Sequence, residues 1–266
     1  MNEQQHGDHP ASNGRMQVSL FVTCLADLFR PAVAFASIQL LEQANCEVTV
    51  PLSQTCCGQP AYNSGDYEAT VPLARKVIEI LEPADYVVVP SGSCAGMICQ
   101  HYPRLLEGEW RDRALQLAAK TFELTTFLTQ IAKIQPLSEQ RTELPTITYH
   151  DACAGLRELN IKEQPRQLLQ ELCGVAVKEL DQSDVCCGFG GTFCAKMPEI
   201  SGKMVGDKLD NALATGAKIL TGGDLGCLLN LAGRAQRQGE DIEIRHIAEL
   251  LCGDLDTPPI GQSGQR

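Results

Sequence analysis

Two stretches of this chain carry adjacent cysteines followed by glycine: Thr55-Cys56-Cys57-Gly58-Gln59-Pro60 and Val185-Cys186-Cys187-Gly188-Phe189-Gly190-Gly191. Each pair is flanked by one cysteine on either side. Cys24 lies 32 residues before Cys56 and Cys153 lies 33 before Cys186, while Cys94 lies 37 residues after Cys57 and Cys227 lies 40 after Cys187. One four-cysteine pattern is therefore present twice, and a hydrophobic core has no need of it. Thiolates are soft ligands suited to zinc, copper(I) or iron–sulfur clusters, and four of them satisfy a tetrahedral zinc ion or a cubane cluster equally well by count. The paired local C-x2–4-C knuckles of small zinc modules are absent, Cys94–Cys99 being the one spacing that fits such a knuckle. Adjacent cysteines point apart from an extended backbone, so both reach one centre only where the chain bends, which Gly58 and Gly188 permit. Such a bend suits a bulky cluster better than a single ion.

The remaining composition narrows the setting. The chain has 266 residues, 13 cysteines and a formal charge of −11, from 22 basic and 33 acidic side chains. An acidic surface argues against nucleic acid and anionic membranes as partners. No apolar signal segment precedes residue 16 and no run of 18 apolar residues occurs, so the expectation is a cytoplasmic protein without a transmembrane segment. In that compartment thiols stay reduced, and metal ligation accounts for the cysteines better than disulfides do.

The elements that must position the sulfurs repeat in the same order. Short β-type runs at 17–23, 47–51 and 86–90 each precede a cysteine loop, with helices expected over 26–45, 66–81 and 104–132. In the helix over 26–45, Leu28, Ala32, Phe35, Leu41 and Ala44 form the expected apolar face. The second half offers strands at 146–150, 175–180 and 217–220, helices at 165–172 and 198–215, and a closing segment at 242–250. Strand–helix alternation implies an α/β fold of two tandem, related Rossmann-like lobes, each a parallel sheet with helices on its faces. The conspicuous cysteines fall just beyond strand C-termini, where open α/β sheets bind their ligands. The expected organisation is a tail over 1–15, a first domain over 16–135, a linker over 136–145, a second domain over 146–253 and a tail over 254–266.

Both halves resemble the CCG (cysteine-rich) domain found in heterodisulfide reductases and related iron–sulfur oxidoreductases. With PSGSC at 90–94, YHDAC at 149–153, CCGFGGTF at 186–193 and GCLLN at 226–230, the chain is most similar to the lactate utilization protein A family. The resemblance spans about residues 16–252. It implies an oxidoreductase subunit that works with two companion subunits, one ferredoxin-like, in oxidising L-lactate to pyruvate. It also implies that Cys24, Cys56, Cys57 and Cys94 hold one iron–sulfur cluster and Cys153, Cys186, Cys187 and Cys227 another. The heterodisulfide reductase pattern ends in C-x-x-C, whereas Met97 and Asn230 stand here in place of the last cysteine. Two ordinary [4Fe–4S] clusters are then expected rather than non-cubane ones. The alternatives are a zinc-bound scaffold or assembly factor and a thiol–disulfide reductase subunit. The substrate, a small 2-hydroxy acid, follows from the resemblance alone, and no catalytic residue is assigned.

Other residues carry weaker signals. Cys46, Cys173 and Cys252 read as core cysteines, while Cys99 and Cys194 lie close enough in sequence to ligand cysteines to serve as a further thiolate. His6 and His9 are a remote metal option in the N-terminal tail. His150 is placed to relay a proton beside the second site or to fill a structural role, and His101 and His246 read as structural. Asp151 is expected to accept from backbone donors at the start of the following helix. The glycine runs at 188–191 and 222–226 do not fit a nucleotide-binding loop.

Overall fold

The computed structural model describes residues 14–136 and 144–262. The option at His6 and His9, most of the N-terminal tail and most of the expected linker lie outside the described residues. The fold consists of two four-stranded, wholly parallel sheets. The first contains β1 (Met16–Leu20), β2 (Cys46–Thr49), β3 (Tyr86–Val89) and β4 (Thr121–Glu123) in the order β2-β1-β3-β4. The second contains β5 (Ile147–His150), β6 (Val177–Lys178), β7 (Ile219–Gly222) and β8 (Glu243–His246) in the equivalent order β6-β5-β7-β8. Val87, Val88 and Val89 are fully buried, as a strand covered on both faces requires.

The strand order reverses between β1 and β3, and again between β5 and β7. At such a switch point the following loops diverge to opposite faces and leave a crevice at the strand C-termini. Cys24 and Cys153 open the helices Cys24–Phe29 and Cys153–Leu159 beyond the first strand of each sheet. Cys94 and Cys227 lie in the first turns of the helices Gly92–Gly96 and Leu225–Gln238 beyond the third.

Three sequence expectations change. The helical reading of 104–132 misses β4, a three-residue strand between the helix Gly108–Ala118 and a helix beginning at Leu124. Its place in the sheet comes from pairing with β3, which a segment as short as Thr-Phe-Glu does not announce. The helix expected over 26–45 is two, Cys24–Phe29 and Ala32–Gln43, divided at Pro31, because proline interrupts the ladder of hydrogen bonds. The second buries Val33, Ala36, Ser37, Leu40 and Leu41, while Leu28 and Phe35 point to solvent. Finally, residues 254–262 of the expected C-terminal tail are tied to the second lobe. Ile260 N–H donates to Ile244 O at 2.8 Å, and Arg245 donates to the carbonyls of Thr257 and Leu255.

The lobes share a core. One buried cluster draws Val18, Leu40 and Val88 from the first lobe together with Ile147, Ile219 and Ile247 from the second. The helix Ile247–Cys252 packs against Ala32–Gln43, and Arg30 Nε meets the fully buried Glu249 carboxylate at 2.7 Å.

Candidate metal centres

Each lobe gathers its four pattern cysteines at the switch-point crevice. In the first lobe Cys24 Sγ lies 3.6 Å from Cys56 Sγ, and Cys57 Sγ lies 3.4 Å from Cys94 Sγ. In the second, Cys153 Sγ is 3.9 Å from Cys186 Sγ, and Cys187 and Cys227 lie within 4.8 Å of one another. In both lobes the second cysteine of the pair and the cysteine after the third strand are buried, and the other two are partly exposed.

The bend that lets adjacent cysteines converge is built the same way twice. Gly58 and Gly188 adopt φ of 85° and 79°, a conformation costly to a residue with a Cβ. Their backbone N–H groups donate to Cys56 Sγ at 3.4 Å and Cys186 Sγ at 3.3 Å. A Cβ on Gly188 would lie 3.0 Å from Ser201 O, so the position is closed sterically as well. The carbonyl of the buried cysteine is pinned in each lobe by a different donor. Tyr102 Oη donates to Cys57 O at 2.7 Å, and Asn230 Nδ2 donates to Cys187 O at 3.0 Å. Asn230 therefore has a positioning task where the heterodisulfide reductase pattern has cysteine, and Met97 is buried core.

These contacts polarise the thiols alike in both lobes. Hydrogen bonds from the Cys24 and Cys57 thiols, with the Gly58 N–H, hold Cys56 down to about 3. Cys186 is lowered by its equivalents, Cys153, Cys187 and Gly188. Their donors Cys24, Cys57, Cys153 and Cys187 are pushed up by giving those hydrogen bonds and by burial. Each set thus has one ready thiolate and two donor thiols beside it that ionise when a cation replaces their protons.

The two sites face each other across the lobe interface. The helix Gly92–Gly96 packs on Cys153–Leu159, and Cys24–Phe29 packs reciprocally on Leu225–Gln238. Contact between the first two helices is so close that a Cβ on Gly92 would fall 2.8 Å from Gly155 Cα. Asp224, three residues before Cys227, is buried and accepts from Ser91 Oγ, Ser93 Oγ and Ser93 N at 2.8, 2.6 and 2.9 Å, just before Cys94. The CCG loops also touch, with Ser64 and Thr192 hydroxyls 2.8 Å apart and Gly191 against Pro60.

The surroundings of the two sets differ. In the second lobe His150, 1% exposed, brings a ring nitrogen within 4.8 Å of Cys187 and Cys227 sulfurs, and both its nitrogens lack hydrogen-bond partners. Burial and then the Lys208 charge lower its pKa to about 3, so the ring is neutral. Lys208 is itself buried and donates to the carbonyls of Gln182 and Ser183 at 3.1 and 2.8 Å, in the loop that leads to Cys186. The corresponding first-lobe residues, by alignment on the cysteines and the CCG-facing helix, are Phe21 and Val77, both buried in the core.

The remaining candidates separate cleanly. Cys99 Sγ lies 3.5 Å from Thr121 O at the start of β4, away from the strand C-termini, and Cys194 Sγ lies 3.7 Å from Gly191 O. Cys46 is fully buried, while Cys173 and Cys252 direct their thiols to backbone oxygens of the last helix. His101 bridges Tyr62 and Glu158, and His246 caps the final helix. Asp151 does not cap its helix as expected. It forms a two-bond pair with Arg166 at 2.9 and 2.9 Å, a stronger partner for a buried carboxylate than backbone amides offer. The glycine runs have a packing cause: Gly226 leaves room for the Phe189 ring, which a Cβ there would strike.

An apolar rim runs outside the first site. Exposed Leu28, Phe35 and Leu52 line an open groove of about 460 Å³ that reaches Cys24 and Cys56. Val185, Met197 and Ile200 are exposed near the second CCG loop in sequence. Among the described residues no helix is long and apolar enough to cross a membrane.

Comparison with known proteins agrees with this architecture. The family model of the cysteine-rich domain, CCG, matches residues 18–99 and again 147–232. The chain is 46% identical over 237 residues to lactate utilization protein A of Shouchella clausii, covering 89% of this chain and 98% of that one. It is 45% identical over 238 residues to lactate utilization protein A of Bacillus thuringiensis and to lactate utilization protein A 2 of Bacillus anthracis, with the same coverage. The duplicated cysteine sets, the paired sheets and these relatives agree, and the chain belongs to the cysteine-rich CCG domain family, among the lactate utilization A proteins.

Proposed function

We propose that this chain is the iron–sulfur subunit of an L-lactate oxidation system, collecting electrons from lactate and passing them to companion subunits, one of them ferredoxin-like. The observation that carries the reading is the pair of four-thiol sets facing each other across the lobe interface, in a chain whose relatives are named for lactate utilization. Cys24, Cys56, Cys57 and Cys94 would hold one centre, and Cys153, Cys186, Cys187 and Cys227 the other. A cluster in such a site supplies one-electron chemistry. The chain's own residues do the rest: the Gly58 and Gly188 N–H groups stabilise thiolate charge, and Tyr102 and Asn230 fix the loop carbonyls. The exposed apolar rim of the first site is suited to the docking of a companion subunit.

One observation favours a second reading. The sulfur pairs, 3.4, 3.6 and 3.9 Å apart, match the edge of about 3.8 Å of a tetrahedron of thiolates about 2.3 Å from one zinc ion. A cubane spreads its thiolates over four irons, so the sulfurs would have to part. A redox-silent zinc scaffold would fit the same residues. The test is to isolate the chain anaerobically, combine it with its companion subunits and add L-lactate, with glycolate as control. Lactate-dependent bleaching of its visible absorbance supports the proposal; colourless protein with stoichiometric zinc overturns it.

A further inference from the structure

The two thiol sets repeat each other closely, yet among the described residues only the second has a nitrogen donor. His150 ends β5, three residues before Cys153, and is 1% exposed. One of its ring nitrogens lies within 4.8 Å of both Cys187 and Cys227 sulfurs, and neither nitrogen has a hydrogen-bond partner. A buried polar group left without a partner is costly, and natural structures rarely retain one without a reason. Nearby polar side chains do not relieve it. Lys208 directs two of its three donors to the Gln182 and Ser183 carbonyls and forms no hydrogen bond to the ring, and Asp151 is paired with Arg166. The position in the first lobe that corresponds to His150 is Phe21, equally buried and unable to ligate.

We propose that His150 is a direct nitrogen ligand of the metal centre in the second lobe, joining Cys187 and Cys227, so that the chain carries one all-thiolate centre and one mixed thiolate–imidazole centre. This rests on the reading that the second thiol set holds a metal. It does not depend on which metal, because imidazole is a good ligand for both iron and zinc. Imidazole in place of thiolate makes a centre less anionic, and in iron–sulfur proteins such replacement raises the reduction potential. The buried ammonium of Lys208 acts in the same direction. Where the centres are iron–sulfur clusters, the second is then the better electron acceptor of the two.

The experiment uses the whole chain, isolated anaerobically from cells fed either ordinary or 15N-labelled histidine, with iron, sulfide and zinc measured on each sample. If iron is present, pulsed EPR of the partly reduced protein is expected to show strongly coupled histidine nitrogen on the centre reduced first. The signal should change isotope with the label and be lost in His150→Phe, whose side chain matches Phe21. If zinc is present, X-ray absorption at the zinc edge is expected to show nitrogen at about 2.0–2.1 Å beside sulfur at about 2.3 Å, again lost in His150→Phe. The labelled wild type answers the question even if the variant does not fold. Sulfur-only coordination of the metal in the wild type, or a nitrogen signal that survives His150→Phe in folded protein, overturns the proposal. The metal analysis separately decides the iron–sulfur reading, since zinc with histidine coordination would sink that reading and uphold this one.

Discussion

Adding a single methyl group at Gly92 is expected to disturb the lobe interface that aligns the two sites. A Cβ there would lie 2.8 Å from Gly155 Cα, 3.1 Å from Gly155 N and 3.4 Å from Asp224 Oδ2. Carbon atoms settle at about 3.5–4.0 Å, so the helices Gly92–Gly96 and Cys153–Leu159 must part by about 1 Å. Overpacking of this kind costs about 1–3 kcal/mol. The same movement stretches the three hydrogen bonds that Asp224 accepts from Ser91 and Ser93, and weakening a buried polar contact adds about 1–3 kcal/mol. Alanine's better helix propensity returns at most about 1 kcal/mol. The net loss for Gly92→Ala is therefore about 1–6 kcal/mol. Gly155→Ala is the internal control, because its Cβ would meet nothing nearer than Ile161 Cδ1 at 3.6 Å, an ordinary contact. It should stay within about 1 kcal/mol of wild type, on the stable side. Urea unfolding of both variants measures the difference. A loss in Gly155→Ala as large as that in Gly92→Ala would refute the reasoning.

Three further perturbations follow from the same geometry. Burial raises Glu123 to about 7, so the folded state binds its proton more tightly than the unfolded chain does. Its contribution is complete below about pH 4.5 and is lost as pH rises through 7, a change of about 3 kcal/mol. Glu123→Gln should flatten the decline in melting temperature between pH 5 and 8, and an unchanged slope would count against it. Gly226→Ala should displace the Phe189 ring and cost about 1–3 kcal/mol, read as a lower urea midpoint; full stability would contradict the packing seen there. Lys208→Met removes the buried cation beside the second thiol set, so one of the two centres should lose metal to chelator roughly tenfold faster, the equivalent of about 1.4 kcal/mol, while the other is unaffected. Equal loss from both centres would contradict the inequivalence of the lobes.

The fold was legible because hydrophobic runs such as Tyr86–Val89 announce strands buried on both faces, and the cysteines mark the loops after them. What was hidden depends on tertiary pairing. Thr121–Glu123 is too short to announce itself and ends in a carboxylate that is nevertheless buried. Leu28 and Phe35 fit one helical apolar face, yet they fall on two helices, the second of which turns Val33, Ala36 and Leu40 inward, and both stay exposed. Asp151 looked like a helix cap because its true partner, Arg166, lies 15 residues on. At the sites, the grouping of eight cysteines into two sets was legible from spacing, while the reciprocal docking through Asp224 and the orphaned His150 ring were not. One signal for the second was available: aligning the halves on Cys24 and Cys153 sets Phe21 against His150, an apolar residue against one of a type able to ligate a metal.

The central claim is that each lobe holds one centre of its own, built on its own cysteine set. Anaerobic iron, sulfide and zinc analysis with EPR, on wild type and on Cys57→Ser and Cys187→Ser, tests it most directly. The expected result is about eight irons with matching sulfide per chain, with each variant losing about half and retaining the EPR signal of the other lobe. One or two zinc ions per chain with no EPR signal on reduction would contradict the electron-transfer account, and loss of all metal from either single variant would contradict two separate centres.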